Sequence, residues 1–141
     1  MLLGNVLYHA TVQATATRDM RVVSSDGVLD VILTKPGELG GTSRRGTNPE
    51  QLFAASYAAS FLQTMRLAAA REGTGLPIRT KVEARVVLGS TERGFGLEVE
   101  LRIWLPGLPR AEADSLVEYA HAACPYSNAT RDNIAIRLVL A

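Results

Sequence analysis

Apolar and polar residues alternate over several stretches of the chain. From Val6 to Thr17 the period is two, through Val6, Tyr8, Ala10, Val12 and Ala14, which predicts a strand. Val28 to Leu33 (VLDVIL) predicts a second. Ser24-Ser25-Asp26-Gly27 lies between them, and Asp-Gly supports a turn with positive φ, so the two strands read as a hairpin. Thr80 to Leu88 alternates through Val82, Ala84, Val86 and Leu88. Phe95 to Leu105 does so through Leu97, Val99, Leu101 and Ile103, with Glu98, Glu100 and Arg102 between. These two predict a long antiparallel hairpin through Gly89–Gly94 with one face in water. Ile134, Ile136, Leu138 and Leu140 mark a last strand.

Two stretches follow a helical period instead. Thr47 or Asn48 can cap the first, Pro49 suits the first helical position, and Glu50 favours the positive end of the helix dipole. This helix is predicted to run to Arg71–Glu72 and to stop at Gly73. The second starts near Pro109 and carries Leu116, Tyr119, Ala120 and Ala123 on one side. It ends or bends at Cys124-Pro125, because the residue before proline is pushed out of the α region. Pro125 then opens a short helical turn, PYSNATR. Lys35 to Thr47, with Pro36 and Gly37, Gly40, Gly41 and Gly46, reads as a surface loop exposing Arg44 and Arg45. The order β–β–α–β–β–α–β is an α+β pattern with a mostly antiparallel sheet. The length of 141 residues fits a single domain, 1–141.

From Leu52 to Leu62 the long helix is apolar or small on every side. Such a helix needs cover all round. One sheet covers one side of it, so a second copy of the chain is the expected cover for the rest, with this helix central to a homodimer.

Hydrophobic residues make up 47% and charged residues 21%, a globular composition. Fifteen basic residues nearly balance fourteen acidic ones, which argues against nucleic acid and anionic membrane as partners. The N-terminal apolar run is too short for a signal peptide or a spanning helix, and the expected setting is cytoplasmic. Cys124 is the one cysteine, so an intrachain disulfide and a cysteine-based metal site are both excluded. With only His9 and His121 besides, no metal is expected.

Few residues remain that could carry chemistry. Cys124 reads either as a small buried hydrophobe or as a redox thiol at the start of a helix. Ser60 reads either as a small residue that allows close helix packing, like Ala55, Ser56, Ala58 and Ala59, or as a nucleophile. A hydrolase would use His121 as base and Glu50 or Asp19 as orienter. The sequence A-A-S-F inside a helix lacks the strand-to-helix elbow of G-x-S-x-G, which weighs against that. Phe53 lies seven positions before Ser60 and projects from nearly the same helix face.

TNPEQLFAASYAASF (47–61) resembles the central-helix motif of the organic hydroperoxide resistance (Ohr) proteins of the OsmC superfamily, and CPYSNATRDNI (124–134) resembles that family's second signature. SSDGVLDV (24–31), the ELGG of Glu38–Gly41 and GFGLEVEL (94–101) match its general pattern. The resemblance spans nearly the whole chain. It implies an OsmC-like α+β fold, with antiparallel sheets around a long central helix, in an intertwined homodimer with active sites at the subunit interface. It also implies thiol peroxidase chemistry toward alkyl or lipid hydroperoxides. A cysteine of the central helix attacks the peroxide, the cysteine of CPYSNAT resolves the sulfenic acid as a disulfide, and an external dithiol, typically a lipoyl group on a protein, reduces it. No bound cofactor is implied. Carried over, the resolving cysteine falls on Cys124, and the arginine and glutamate that hold and activate the thiolate fall on Arg18 and Glu50. Phe53, Phe61 and Tyr126 are the candidates for an apolar substrate pocket.

The departure is at Ser60, where the family motif has its peroxidatic cysteine. A hydroxyl is hardly ionised near neutral pH and offers no sulfenic acid–disulfide cycle. Turnover is therefore expected to be absent. The retention of Arg18, Glu50 and Cys124 favours an engineered cysteine-to-serine exchange. The competing reading is a natural, non-catalytic OsmC-like protein that binds an apolar or oxidised ligand.

Overall fold

The structure, a computed structural model of the chain, describes residues 1–42 and 45–141. The chain forms two compact units, residues 1–49 and 50–141.

The first unit is a three-stranded antiparallel meander, β1 (Val12–Ala16), β2 (Met20–Ser24) and β3 (Asp30–Leu33), in the order β1-β2-β3. The expected hairpin of Val6–Thr17 with Val28–Leu33 is thus corrected: a strand intervenes, and the first strand begins only at Val12. In β2 the adjacent Val22 and Val23 blur the alternation, and Val22 alone is buried. The turn at Ser24–Gly27 joins β2 to β3 as expected. The Asp26 carboxylate accepts from Val28 N–H at 3.0 Å and from the Ser24 hydroxyl at 2.6 Å, and Gly27 takes φ 75°. Across the pair, Arg21 donates twice to Asp30, at 2.9 and 2.7 Å. A short 3-10 turn (Gly37–Leu39) follows, and Thr47 returns beside β3 in a parallel bridge to Leu33. Arg45 is exposed, and Arg44 lies outside the described residues.

The second unit opens, but for one residue, with α1 (Pro49–Arg71). Gly73 ends it as predicted: with φ 73° it lets its own N–H reach Ala70 O and the N–H of Thr74 reach Ala69 O, a Schellman cap. Next comes the hairpin β4 (Lys81–Thr91) and β5 (Gly94–Trp104), with Val82 opposite Ile103, Ala84 opposite Leu101 and Val86 opposite Val99. These side chains face inward and Glu83, Arg85 and Val87 face water. Phe95, part of the expected apolar face, is exposed near the turn.

Then come α2 (Arg110–Ala123), α3 (Pro125–Thr130) and β6 (Ile136–Leu140). β6 lies parallel to β5, with Leu101 opposite Leu138. The long crossover through two helices is what makes a parallel pair possible. The buried stripe of α2 is Ala113, Val117 and Ala120, spaced four and three apart, while Tyr119 and Ala123 are exposed. One core joins three elements: Tyr57, Phe61 and Met65 from α1, Val99, Leu101 and Ile103 from β5, and Ala113, Val117, Ala120 and Cys124 from α2 and its end.

Candidate functional site

Three hydroxyls stand one turn apart on α1, at Ser56, Ser60 and Thr64. Two of them fold back on the helix: Ser56 donates to Leu52 O at 2.8 Å and Thr64 to Ser60 O at 2.9 Å. Ser60 instead faces across to the bend between α2 and α3, where the Cys124 thiol donates to its Oγ at 3.7 Å.

The local sequence builds that bend. Pro125 has no N–H and pushes Cys124 out of the helical region, to φ −63°, ψ 127°. Cys124 closes one helix and opens the next. Its N–H donates to Ala120 O at 2.8 Å, and its carbonyl accepts from Asn128 N–H at 2.9 Å. The backbone thus fixes the residue from both sides, and its side chain is fully buried.

Three aromatic rings from α1 and α3 come together. Phe53 meets Tyr57 and Tyr126 edge-on, each at 6.4 Å between centroids, and Tyr57 and Tyr126 are 5.8 Å apart. Phe53 and Tyr126, both expected near the site, are therefore neighbours. Phe61 is fully buried within the core.

A polar chain runs behind the aromatics. The Tyr57 hydroxyl lies 2.7 Å from Ser127 Oγ, and Ser127 Oγ lies 2.9 Å from His121 Nδ1. The hydroxyl that His121 engages is thus Ser127, not Ser60, so a Ser60–His121 hydrolase pair is not assembled. Arg131 donates to the carbonyl of His121 at 2.6 Å and to the side chain of Asn128. Burial, and then the positive charge of Arg131, hold His121 below the ordinary imidazole pKa. Sequence reasoning passed over Tyr57, Ser127 and Arg131. The available signal was that CPYSNATR carries hydroxyls and a cation within seven residues of the cysteine.

Two more expected residues lie on other segments of the chain. Glu50 lies in the first turn of α1, ten residues before Ser60, or about 15 Å along the helix axis. Arg18 belongs to the first unit, exposed in the turn between β1 and β2, where the Thr17 N–H and hydroxyl both donate to Asp19 O at 2.8 Å. Among the described residues, no cluster of three His, Cys, Asp or Glu could hold a metal ion. No helix among them is long and apolar enough to cross a membrane.

Fold and site together define an α+β protein whose long central helix presents a hydroxyl to a buried thiol at a helix bend. The model of the OsmC-like protein family matches residues 40–139. An organic hydroperoxide resistance protein of Xanthomonas axonopodis pv. citri is 52% identical over 136 residues, covering 96% of each chain. The organic hydroperoxide resistance protein OhrA of Bacillus subtilis is 40% identical over 142 residues, covering 99% of each. The crystal structure of an organic hydroperoxide resistance protein from Elizabethkingia anophelis superposes with a TM-score of 0.92 at 42% identity, over 98% of this chain and 99% of that one. The chain belongs to the OsmC/Ohr family.

Proposed function

We propose that the site on α1 and the α2–α3 bend is that of a thiol-dependent organic hydroperoxide reductase in which Ser60 stands in the place of the attacking thiol. The observation that carries this reading is the approach of the Cys124 thiol to within 3.7 Å of Ser60 Oγ, inside a chain whose relatives are named for organic hydroperoxide resistance. A sulfur at position 60 would have to close that gap to about 2.05 Å to bond Cys124.

With a thiolate there, the chemistry has three steps. The thiolate attacks one peroxide oxygen, the O–O bond breaks, and the alkoxide leaves as alcohol after taking a proton. The sulfenic acid at position 60 then condenses with the Cys124 thiol, forming the S–S bond and releasing water. An external dithiol of the lipoyl type reduces the disulfide and is itself oxidised. The serine oxygen cannot enter this cycle, so the chain as it stands does not turn peroxide over. Cys124, kept in a fully buried, hydrogen-bonded seat, is what a cysteine-to-serine exchange would leave behind.

Arg18 would stabilise the thiolate and the departing alkoxide, and Glu50 would orient Arg18 through a charge-assisted bond. A chain's own Glu50 is about 15 Å from its Ser60 along the helix. That separation supports a homodimeric site in which the charged pair comes from a second copy. So does Leu67, 65% exposed on α1. Phe53 and Tyr126 would form the apolar wall that favours an alkyl or lipid chain, backed by Phe61 in the core. A cytoplasmic setting, where thiols stay reduced, fits this cycle.

The test is Ser60→Cys. The variant is expected to reduce cumene hydroperoxide with dihydrolipoamide as donor, while the parent is inert. A folded Ser60→Cys protein that leaves the peroxide untouched would sink the reading. Ligand-induced thermal stabilisation without turnover would then favour a binding protein.

A further inference from the structure

The polar chain behind the aromatic rings has a definite direction. Tyr57 is fully buried, and its hydroxyl has one partner among the described residues, Ser127. Were Tyr57 the acceptor, its own proton would be stranded in the core. Tyr57 therefore donates to Ser127, and the Ser127 hydroxyl, also fully buried, donates to His121 Nδ1. The ring is then the neutral tautomer with its proton on Nε2.

The placement of this chain relative to the thiol gives it a purpose. Tyr57 and Ser60 are three residues apart, on the same turn of α1. Cys124 and Ser127 are three apart across the bend. The 57–127 bond at 2.7 Å and the 60–124 contact at 3.7 Å are thus two adjacent rungs between the same two elements. His121, three residues before Cys124, grips Ser127 from the other side. Arg131 ties the carbonyl of His121 to the end of α3, and its own N–H donates to Ser127 O at 3.0 Å. The bend is closed on itself, and the shorter of its two rungs to α1 is the Tyr57–Ser127 bond.

We propose that Tyr57, Ser127 and His121 are positioning residues: a hydrogen-bonded clamp that sets the distance between Cys124 and position 60, and so governs the condensation step rather than the attack on peroxide. This rests on the thiol peroxidase reading above. The step concerned joins the sulfenic sulfur at position 60 to the Cys124 sulfur, breaks the S–O bond, and releases the hydroxyl with the Cys124 proton as water. One sulfur is reduced and the other oxidised, with no outside oxidant. None of the three side chains touches peroxide. Each acts through the seat of Cys124.

The test separates the two steps in the Ser60→Cys protein under single turnover. Peroxide consumption reports the attack, and loss of dimedone-trappable sulfenic acid, followed by intact mass, reports condensation. Tyr57→Phe and Ser127→Ala are expected to leave the attack within about threefold and to slow condensation at least tenfold. His121→Ala, which removes the acceptor, is expected to slow condensation at least tenfold, and His121→Asn, which keeps an acceptor close to the position of Nδ1, to restore it to within about threefold. Condensation at the parent rate in Tyr57→Phe and Ser127→Ala overturns the clamp. If Ser60→Cys consumes no peroxide, the functional reading fails by itself, and the clamp is judged in the chain as it stands. There, Tyr57→Phe and Ser127→Ala should raise the labelling rate of Cys124 by iodoacetamide at least tenfold, with His121→Asn near the parent. Equal rates in all four proteins overturn it.

Discussion

The two units bury their apolar residues to very different degrees. Residues 50–141 hold a continuous core in which Tyr57, Phe61, Met65, Leu101 and Ile103 are closed to solvent. Among the described residues of 1–49, the buried hydrophobics are Val22 and Leu33. Every residue of β1 is exposed, and so are Met1, Leu2, Leu3, Val6, Leu7 and Tyr8. A three-stranded meander with so little burial gains little from the hydrophobic effect. The apolar core thus lies in the second unit, and the first leaves most of its apolar surface exposed. The proposed second copy of the chain would bury part of that surface, and the proposed chemistry is divided in the same way: Ser60 and Cys124 belong to residues 50–141, Arg18 to residues 1–49.

The sharpest way to break this contrast is to remove equivalent bulk from each unit. Leu101→Ala opens a cavity at a fully buried site and is expected to cost about 2–5 kcal/mol in chemical denaturation. Ile32→Ala, at a residue 52% exposed, is expected to cost less than about 1 kcal/mol at low protein concentration. The Ile32 cost should grow as concentration rises if a second copy covers β3. Similar costs at the two sites at every concentration would show that the first unit is as well packed as the second.

A second contrast concerns chemistry. In the Ser60→Cys background, Arg18→Ala should lower the rate of peroxide consumption by about 10²–10³-fold, the usual effect of losing a donor to developing negative charge. Because Arg18 is exposed in a turn, the melting temperature should hardly move. An unchanged rate would remove Arg18 from the mechanism and confine the chemistry to the second unit.

The same division governs what the sequence could tell. Where burial is regular, the pattern was readable. The alternation of Val82–Leu88 against Leu97–Leu105 is the observed register of β4 and β5, and Pro49 and Gly73 bracket α1 because proline suits the first helical position and glycine accepts the left-handed cap. Where burial is slight, it failed. β2 has one buried residue and no period to show, and β1 began six residues later than the alternation suggested. The parallel pairing of β6 was invisible for another reason, since alternation marks a strand but not its direction. At the site, Ser60 and Cys124 stood out through long motifs. The Tyr57–Ser127–His121 chain did not, because a hydrogen bond between residues 70 positions apart leaves no local spacing to read.

Acid distinguishes the units more gently, through groups that titrate in separate windows. In the second unit, burial and then Arg131 lower the pKa of His121 below its ordinary 6.5. Between the folded value and 6.5, the unfolded chain binds more protons than the folded one, so stability rises with pH across that window. The contribution is complete above about 6.5 and is lost as pH falls through it. Protonation also bears on the clamp: a second proton on the ring would turn Nδ1 into a donor and leave the buried Tyr57–Ser127 pair one acceptor short. In the first unit, hydrogen bonds from Arg21 and from Ser24 lower the pKa of Asp30 and Asp26 respectively. Their contribution is present above the ordinary carboxylate value of 3.8 and is lost only below it. Melting temperatures of the chain at pH 7.5, 6.0 and 5.0 should therefore fall through a step that His121→Asn abolishes, because asparagine accepts from Ser127 without titrating. Arg21→Gln should leave that step intact and change only the acid limb below 3.8. A step that survives His121→Asn would assign the loss to another group and detach the clamp from pH.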